Sequence, residues 1–207
     1  MSSAADGHAP DPRAQPVVIL GAGHGTRMGG PKVFARIEGV TFLERILMRV
    51  REAGCPAILT VDAGFHRRVE ALLGSLPPLP LRLVEVDGTL AMLASVQAGL
   101  AALDGTAEGA WLWPVDAPLL SAEGWRRARA AAGAAAERIL KLRADGRTGH
   151  PLWLPRWACA AVAAGSWADG LLGFLAGVPP ERIAHLDLPG ETLGDFNTPA
   201  QLAAAGH

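Results

Sequence analysis

Between Gly21 and Lys32 the chain reads Gly-Ala-Gly-His-Gly-Thr-Arg-Met-Gly-Gly-Pro-Lys, five glycines interleaved with one arginine and one lysine. Glycines let a backbone approach a ligand closely and turn its N–H groups toward an anion, and fixed cations beside them can neutralise a polyphosphate. These residue types predict a loop that holds a triphosphate through Leu20, Gly21, Ala22, Gly23, Gly25 and Thr26, with Arg27 and Lys32 supplying charge. His24, inside the loop, faces either solvent or phosphate. Two other phosphate loops do not fit. A Walker loop ends in Gly-Lys-Ser/Thr, but Pro31 separates Gly30 from Lys32 and Val33 follows. A dinucleotide fingerprint loses its last glycine to Thr26 and Met28.

Other chemistry-bearing residues are scattered. Asp116 closes the apolar run Trp111-Leu-Trp-Pro-Val, where a carboxylate can ligate a hard cation such as Mg²⁺ or cap the following turn; position alone leaves both open. His150, between Gly149 and Pro151, can bind an acceptor phosphate, move a proton near neutral pH, or serve structure alone. Thr198 and Pro199 have the types of a helix N-cap and first helical position.

These residues need elements to position them. Val17 to Leu20 is a short apolar run stopping at the glycine loop, as a buried parallel strand does. Phe42, Leu43, Ile46, Leu47 and Val50 recur at helical spacing from Thr41 to Ala53, and Gly54 ends the pattern. Alternation continues with a strand at 57–61, a helix at 65–73, a loop over Pro77–Pro80, a strand at 81–86, a helix at 90–103, a strand at 110–115 and a helix at 121–132. Asp145-Gly146 then predicts a hairpin between strands at 138–142 and 150–154. Short helices from Arg156 and Gly170, a strand at 183–186 and a helix after Pro199 complete a single α/β domain over residues 16–207. It is three-layered, with a mostly parallel, Rossmann-like sheet and a small antiparallel portion. Residues 1–15, rich in Ser, Ala, Asp, Gly and Pro, read as a disordered tail rather than a signal peptide.

Composition narrows the partners. With 207 residues, half of them hydrophobic, and a formal net charge of -1, the chain can bury a core but offers no field for nucleic acid or an anionic membrane. Its apolar stretches are broken well before a membrane-spanning length. Cys55 and Cys159 have neither disulfide nor zinc spacing, which fits the cytoplasm. The six tryptophans fall among apolar neighbours and are expected to pack the core.

The glycine string resembles the signature loop of the MobA-like nucleotidyltransferases, the molybdenum cofactor cytidylyltransferases and guanylyltransferases among them. Leu20 to Gly23, Arg27, Met28, Gly29 and Lys32 stand in the places of that loop. The resemblance implies a nucleotide-diphospho-sugar transferase type of fold and transfer of a nucleotide from an NTP, CTP or GTP, to a small phosphorylated acceptor, with Mg²⁺. Arg27, Lys32 and Asp116 would be catalytic. Pro114-Val-Asp-Ala-Pro118 is similar to the family's metal-binding strand end, and Gly194-Asp-Phe-Asn-Thr-Pro199 to its Asp-x-Asp/Asn-Thr-Pro element, which implies Asp116 and Asp195 as the metal ligands. Val84 to Ser95 matches a nucleotide-contacting segment, with Asp87 and Ser95 its candidates and Ala91 where a glycine is common. Asp62 stands where relatives often carry an asparagine near the ribose or base. Gly149-His150-Pro151 resembles an acceptor-side element of CTP-using members acting on molybdopterin. Ala22 also leans toward CTP, although Gly21 replaces the usual alanine. Sugar-phosphate acceptors stay open, as does a non-catalytic nucleotide-binding protein that partners cofactor delivery to molybdoenzymes.

Overall fold

The computed structural model describes residues 15–135 and 137–205. In chain order the elements are β1 (Val17–Leu20), a two-residue hairpin of β2 (Arg36–Ile37) and β3 (Val40–Thr41), α1 (Phe42–Glu52), β4 (Ala57–Asp62), α2 (His66–Gly74), β5 (Leu81–Val86) and α3 (Met92–Ala101). There follow β6 (Gly109–Pro114), α4 (Ala122–Ala135), β7 (Ile139–Ala144), β8 (Arg147–Pro155), α5 (Arg156–Ala164), α6 (Gly170–Ala176), β9 (Ile183–Asp187) and α7 (Pro199–Ala205). Seven strands form one sheet in the order β5-β4-β1-β6-β8-β7-β9. The pairs β5/β4, β4/β1, β1/β6 and β7/β9 are parallel; β8 runs antiparallel to both β6 and β7.

β1, β4 and β6 are buried along their whole length, which is why they read as mostly apolar runs, with Thr60 and Asp62 the polar residues of β4. Successive side chains point to opposite faces. Val17, Ile19, Trp111 and Trp113 join one core with residues of α1, α2 and α4. Val18, Leu20, Ala110 and Leu112 join a second core with α3, α5 and α6. The architecture is therefore the expected three-layered one. Trp125 of α4 packs against Trp111 and Trp113, and Trp153 against Trp111, with ring centroids 5.0 to 5.6 Å apart. Trp157 and Trp167 close around Phe174 on the other face. Burial pushes the Cys159 thiol up to about 12, so it packs as a protonated apolar group.

Element ends differ from expectation where local hydrogen bonds compete. The first helix begins at Phe42, because Thr41 is its N-cap and forms a reciprocal capping box with Glu44. Thr41→Ala is expected to lower stability by about 1 kcal/mol, read as a shifted denaturant midpoint with an unchanged slope. The helix expected from Leu90 begins only at Met92, since Asp87 accepts hydrogen bonds from the backbone and hydroxyl of Thr89 and holds a turn there. The helix expected from Phe65 starts at His66 after a single 3-10 turn. Asp145 and Gly146 both have positive φ, 49° and 78°, as a two-residue hairpin requires.

Of the expected tail, residues 1–14 lie outside the described residues. Gln15 is anchored: its amide donates to the Arg129 carbonyl and accepts from Trp111 Nε1, both at 3.0 Å. Among the described residues no helix is long and apolar enough to cross a membrane.

Candidate functional site

From β1 the chain runs out to β4 and β5 and then returns to the other side of β1 as β6. Open α/β sheets gather ligands at such a reversal, outside the carboxyl ends of the strands. β1 ends there in the glycine loop, and β6 ends in the turn that carries Asp116.

The loop is folded back on itself. Gly25 has φ 58°, and a Cβ there would collide with the Gly30 carbonyl oxygen, so no L side chain fits. The Gly25 carbonyl accepts from Met28 N–H at 2.7 Å and from Gly30 N–H at 3.3 Å. This closes a single 3-10 turn, Thr26–Met28, which leaves Gly23, His24, Thr26 and Arg27 exposed and Leu20, Gly21 and Ala22 buried beneath them.

Lys32 opens a second such turn, Lys32–Phe34, and the next residue, Val33, is fully buried. The ammonium donates to Asp116 Oδ2 and to Asn197 Oδ1, each at 2.6 Å. The Asn197 amide in turn donates to Asp195 Oδ2. Behind them, Phe196 N–H donates to the Asp116 carbonyl at 2.9 Å, and the Phe196 ring lies 5.7 Å from that of Phe42. The two aspartates are thus joined through one lysine and one asparagine across 79 residues of sequence (195 minus 116).

His150 sits beside the same group. Its N–H donates to the Leu193 carbonyl at 3.2 Å, and its Nδ1 is buried with no hydrogen-bond partner among the described residues. Burial pushes the imidazole pKa down, against the upward pull of the Asp116 and Asp195 carboxylates. The side chain is therefore biased toward the neutral form, a hydrogen-bonding group rather than a cation.

Asp62 and Asp87 lie on the β4/β5 side of the loop, at the ends of those strands. Asp62 is buried at the end of β4, and both its oxygens are engaged. Oδ1 accepts from Gly64 N–H and Oδ2 from Gly88 N–H, each at 2.7 Å, and His24 Nε2 stands 3.2 Å from Oδ2. The Gly88 N–H, then His24, then the Gly64 N–H hold this carboxyl below the usual carboxylate range. Asp87 is exposed, and the Thr89 hydroxyl and N–H lower its pKa. Ser95 is buried at the end of the first turn of α3. Lys32, Asp116, His150 and Asp195 therefore meet on one flank of the glycine loop, while Asp62 and Asp87 lie beside His24 on the other. Asn197 is the residue that sequence reasoning passed over, although it stands inside the Asp-x-Asn-Thr-Pro string.

Among the described residues no three His, Cys, Asp or Glu side chains cluster as a protein-only metal cage. A hard cation serving a polyphosphate needs only one or two carboxylates, the rest of its shell being phosphate oxygens and water. Asp116 and Asp195, with an amide oxygen between them already holding an ammonium, are a donor set that fits such an ion.

A glycine turn whose Lys32 meets Asp116 and Asn197 at the reversal of a mostly parallel sheet is the arrangement of a nucleotide-handling α/β domain. More narrowly, the chain belongs to the MobA-like NTP transferase domain family, whose sequence profile matches residues 17–182. Rv0371c from Mycobacterium tuberculosis H37Rv is 25% identical, with a TM-score of 0.77 over 93% of this chain and 98% of that one. Its complex with manganese superposes with a TM-score of 0.74 at 23% identity, covering 93% and 97%. The 4-diphosphocytidyl-2C-methyl-D-erythritol synthase from Anaerococcus prevotii shares the fold, with a TM-score of 0.73 at 16% identity over 95% of this chain and 96% of that one. The bifunctional protein GlmU from Azorhizobium caulinodans is 34% identical over 137 residues, 65% of this chain and 30% of that protein. The chain thus spans about 30% of the length of that curated relative.

Proposed function

We propose that the chain transfers a nucleoside monophosphate from an NTP, CTP by preference, to a phosphorylated small molecule of the molybdopterin type, releasing pyrophosphate with Mg²⁺ as cofactor. The observation that carries this reading is the Lys32 ammonium held between Asp116 and Asn197 directly under the glycine loop. A phosphate oxygen of the acceptor attacks the α-phosphorus, a new P–O bond forms, and the bond to the β-phosphate oxygen breaks as pyrophosphate leaves. Catalysis of such a transfer is alignment plus charge stabilisation. The exposed Arg27 binds the departing β and γ groups, and Lys32 stabilises charge at the α-phosphate. Asp116 and Asp195 would hold the Mg²⁺, which neutralises phosphoryl oxygens when bound. His150, which burial biases toward the neutral form, would serve the acceptor as a hydrogen-bonding group rather than a cation.

Support for a divalent ion comes from the manganese complex of the Mycobacterium tuberculosis protein. Support for a cytidine nucleotide comes from Ala22, from Gly149-His150-Pro151 and from the diphosphocytidyl product in the name of the Anaerococcus prevotii enzyme. The test is thermal-shift screening with CTP, GTP, ATP and UTP plus Mg²⁺, followed by pyrophosphate release across molybdopterin and sugar-phosphate acceptors. CTP is expected to give the largest shift, equivalent to about 2.7 kcal/mol at a hundredfold excess over its dissociation constant. Equal shifts for all four nucleotides remove the CTP preference; shifts without pyrophosphate from any acceptor remove the transfer reading.

A further inference from the structure

The Asp62 carboxylate is where three segments meet, each delivered to the carboxyl edge of the sheet by a different strand. β1 leads into Gly21–His24, β4 ends in Asp62 itself, and β5 runs into Asp87-Gly88. Gly88 has no room for a side chain. A Cβ there would collide with the Ala22 carbonyl oxygen and lie 2.8 Å from Asp62 Oδ2 and 3.0 Å from His24 Nε2. The Asp62 side chain is 12% exposed; Gly64 N–H and Gly88 N–H donate to it, and His24 Nε2 stands 3.2 Å from its Oδ2. A carboxylate so engaged has little left to offer a ribose or a base, the neighbourhood to which family resemblance assigns this position. What it does hold is the distance between the phosphate-side turn and the nucleoside-side turn.

We infer that Asp62 is a positioning residue which clasps the glycine turn to the Asp87-Gly88 turn, through His24 and the Gly88 N–H, and so preforms the triphosphate site without touching the nucleotide. The inference rests on the reading that Gly21–Lys32 binds a triphosphate. Charge-assisted bonds from backbone N–H groups to a carboxylate are among the stronger ones available to a loop. Glycine-rich turns have the most conformational freedom to lose on ordering, so a clasp that orders one in advance appears as tighter binding. The groups facing His24 are Asp62, the edge of Phe65 at 6.1 Å between centroids, and the Asp87 carboxylate.

The test measures binding of two probes with Mg²⁺: the nucleotide that wild type binds most tightly in the four-nucleotide screen, and inorganic tripolyphosphate, which lacks ribose and base. Asp62→Asn is expected to weaken both by the same factor, about tenfold, and to speed amide exchange at Gly88. His24→Gln, at an exposed position that spares the fold, should weaken both in the same sense, and the double variant should be no worse than Asp62→Asn alone within about twofold. If Asp62→Asn weakens the nucleotide and leaves tripolyphosphate unchanged, Asp62 touches the nucleoside and the clasp is wrong. Losses that multiply in the double variant overturn it too. Wild-type protein that binds neither probe overturns the triphosphate reading together with the clasp.

Discussion

Replacing Lys32 with alanine is expected to cut turnover by about a thousandfold or more, the scale seen when a preorganised group loses its hold on transition-state charge. The ammonium is in place before substrate arrives, fixed at 2.6 Å from both Asp116 and Asn197 by a turn whose neighbour Val33 is fully buried. It therefore requires no reorganisation when charge builds on the α-phosphate. Because that charge belongs to the transition state, the loss should fall mainly on kcat, with KM for the nucleotide changing much less. The fold should survive. Breaking a fully buried ion pair costs about 3–5 kcal/mol, but the Lys32 and Asp116 side chains keep 16% and 18% exposure, and water can solvate the orphaned carboxylate. Lys32→Arg is not a rescue, since a planar fork cannot replace a compact ammonium bridging two oxygens. Single-turnover pyrophosphate release beside a denaturation curve decides the matter: near-normal turnover in a folded Lys32→Ala protein removes this residue from the chemistry. The same variant should bind Mn²⁺ alone more tightly than wild type, because the carboxylates lose their built-in counter-cation.

Much of this site was legible because its parts sit at strand ends, where apolar runs stop and chemistry-bearing residues begin. β1, β4 and β6 announce themselves as mostly apolar segments because both faces are buried, and the glycine turn and Asp116 follow closely on two of them. Less legible were contacts whose two halves come from different strands. Asn197 is an ordinary polar residue before a helix until Lys32 arrives from 165 positions away. Asp62 reads as a ligand-facing acid until the Gly88 N–H, brought alongside by β5, fills its second oxygen. The same holds for Gln15, counted with the tail from composition yet bonded to Trp111 and Arg129. The late start of α3 has a local cause that propensity hides, because the turn Asp87 makes with Thr89 competes with helix over Leu90 and Ala91.

Asp116→Ala is expected to be as damaging as Lys32→Ala, and its double variant separates the two roles. The Asp116 carbonyl, not its side chain, receives the Phe196 N–H, so truncating the carboxylate leaves intact the backbone contact that brings the Gly194–Asn197 segment in. Folding should therefore persist while the donor set for a divalent ion is halved. Turnover should fall by about a thousandfold, and excess Mg²⁺ or Mn²⁺ should recover only part of it. Asp195 is exposed and reaches Lys32 only through Asn197, so Asp195→Ala should lose less and respond more to added metal. Lys32 and Asp116 are in direct contact, and residues in contact do not act independently. The double variant should then be little slower than either single one. Full multiplication of the two losses would mean that the lysine and the aspartate serve separate steps, and that their hydrogen bond has no part in the chemistry.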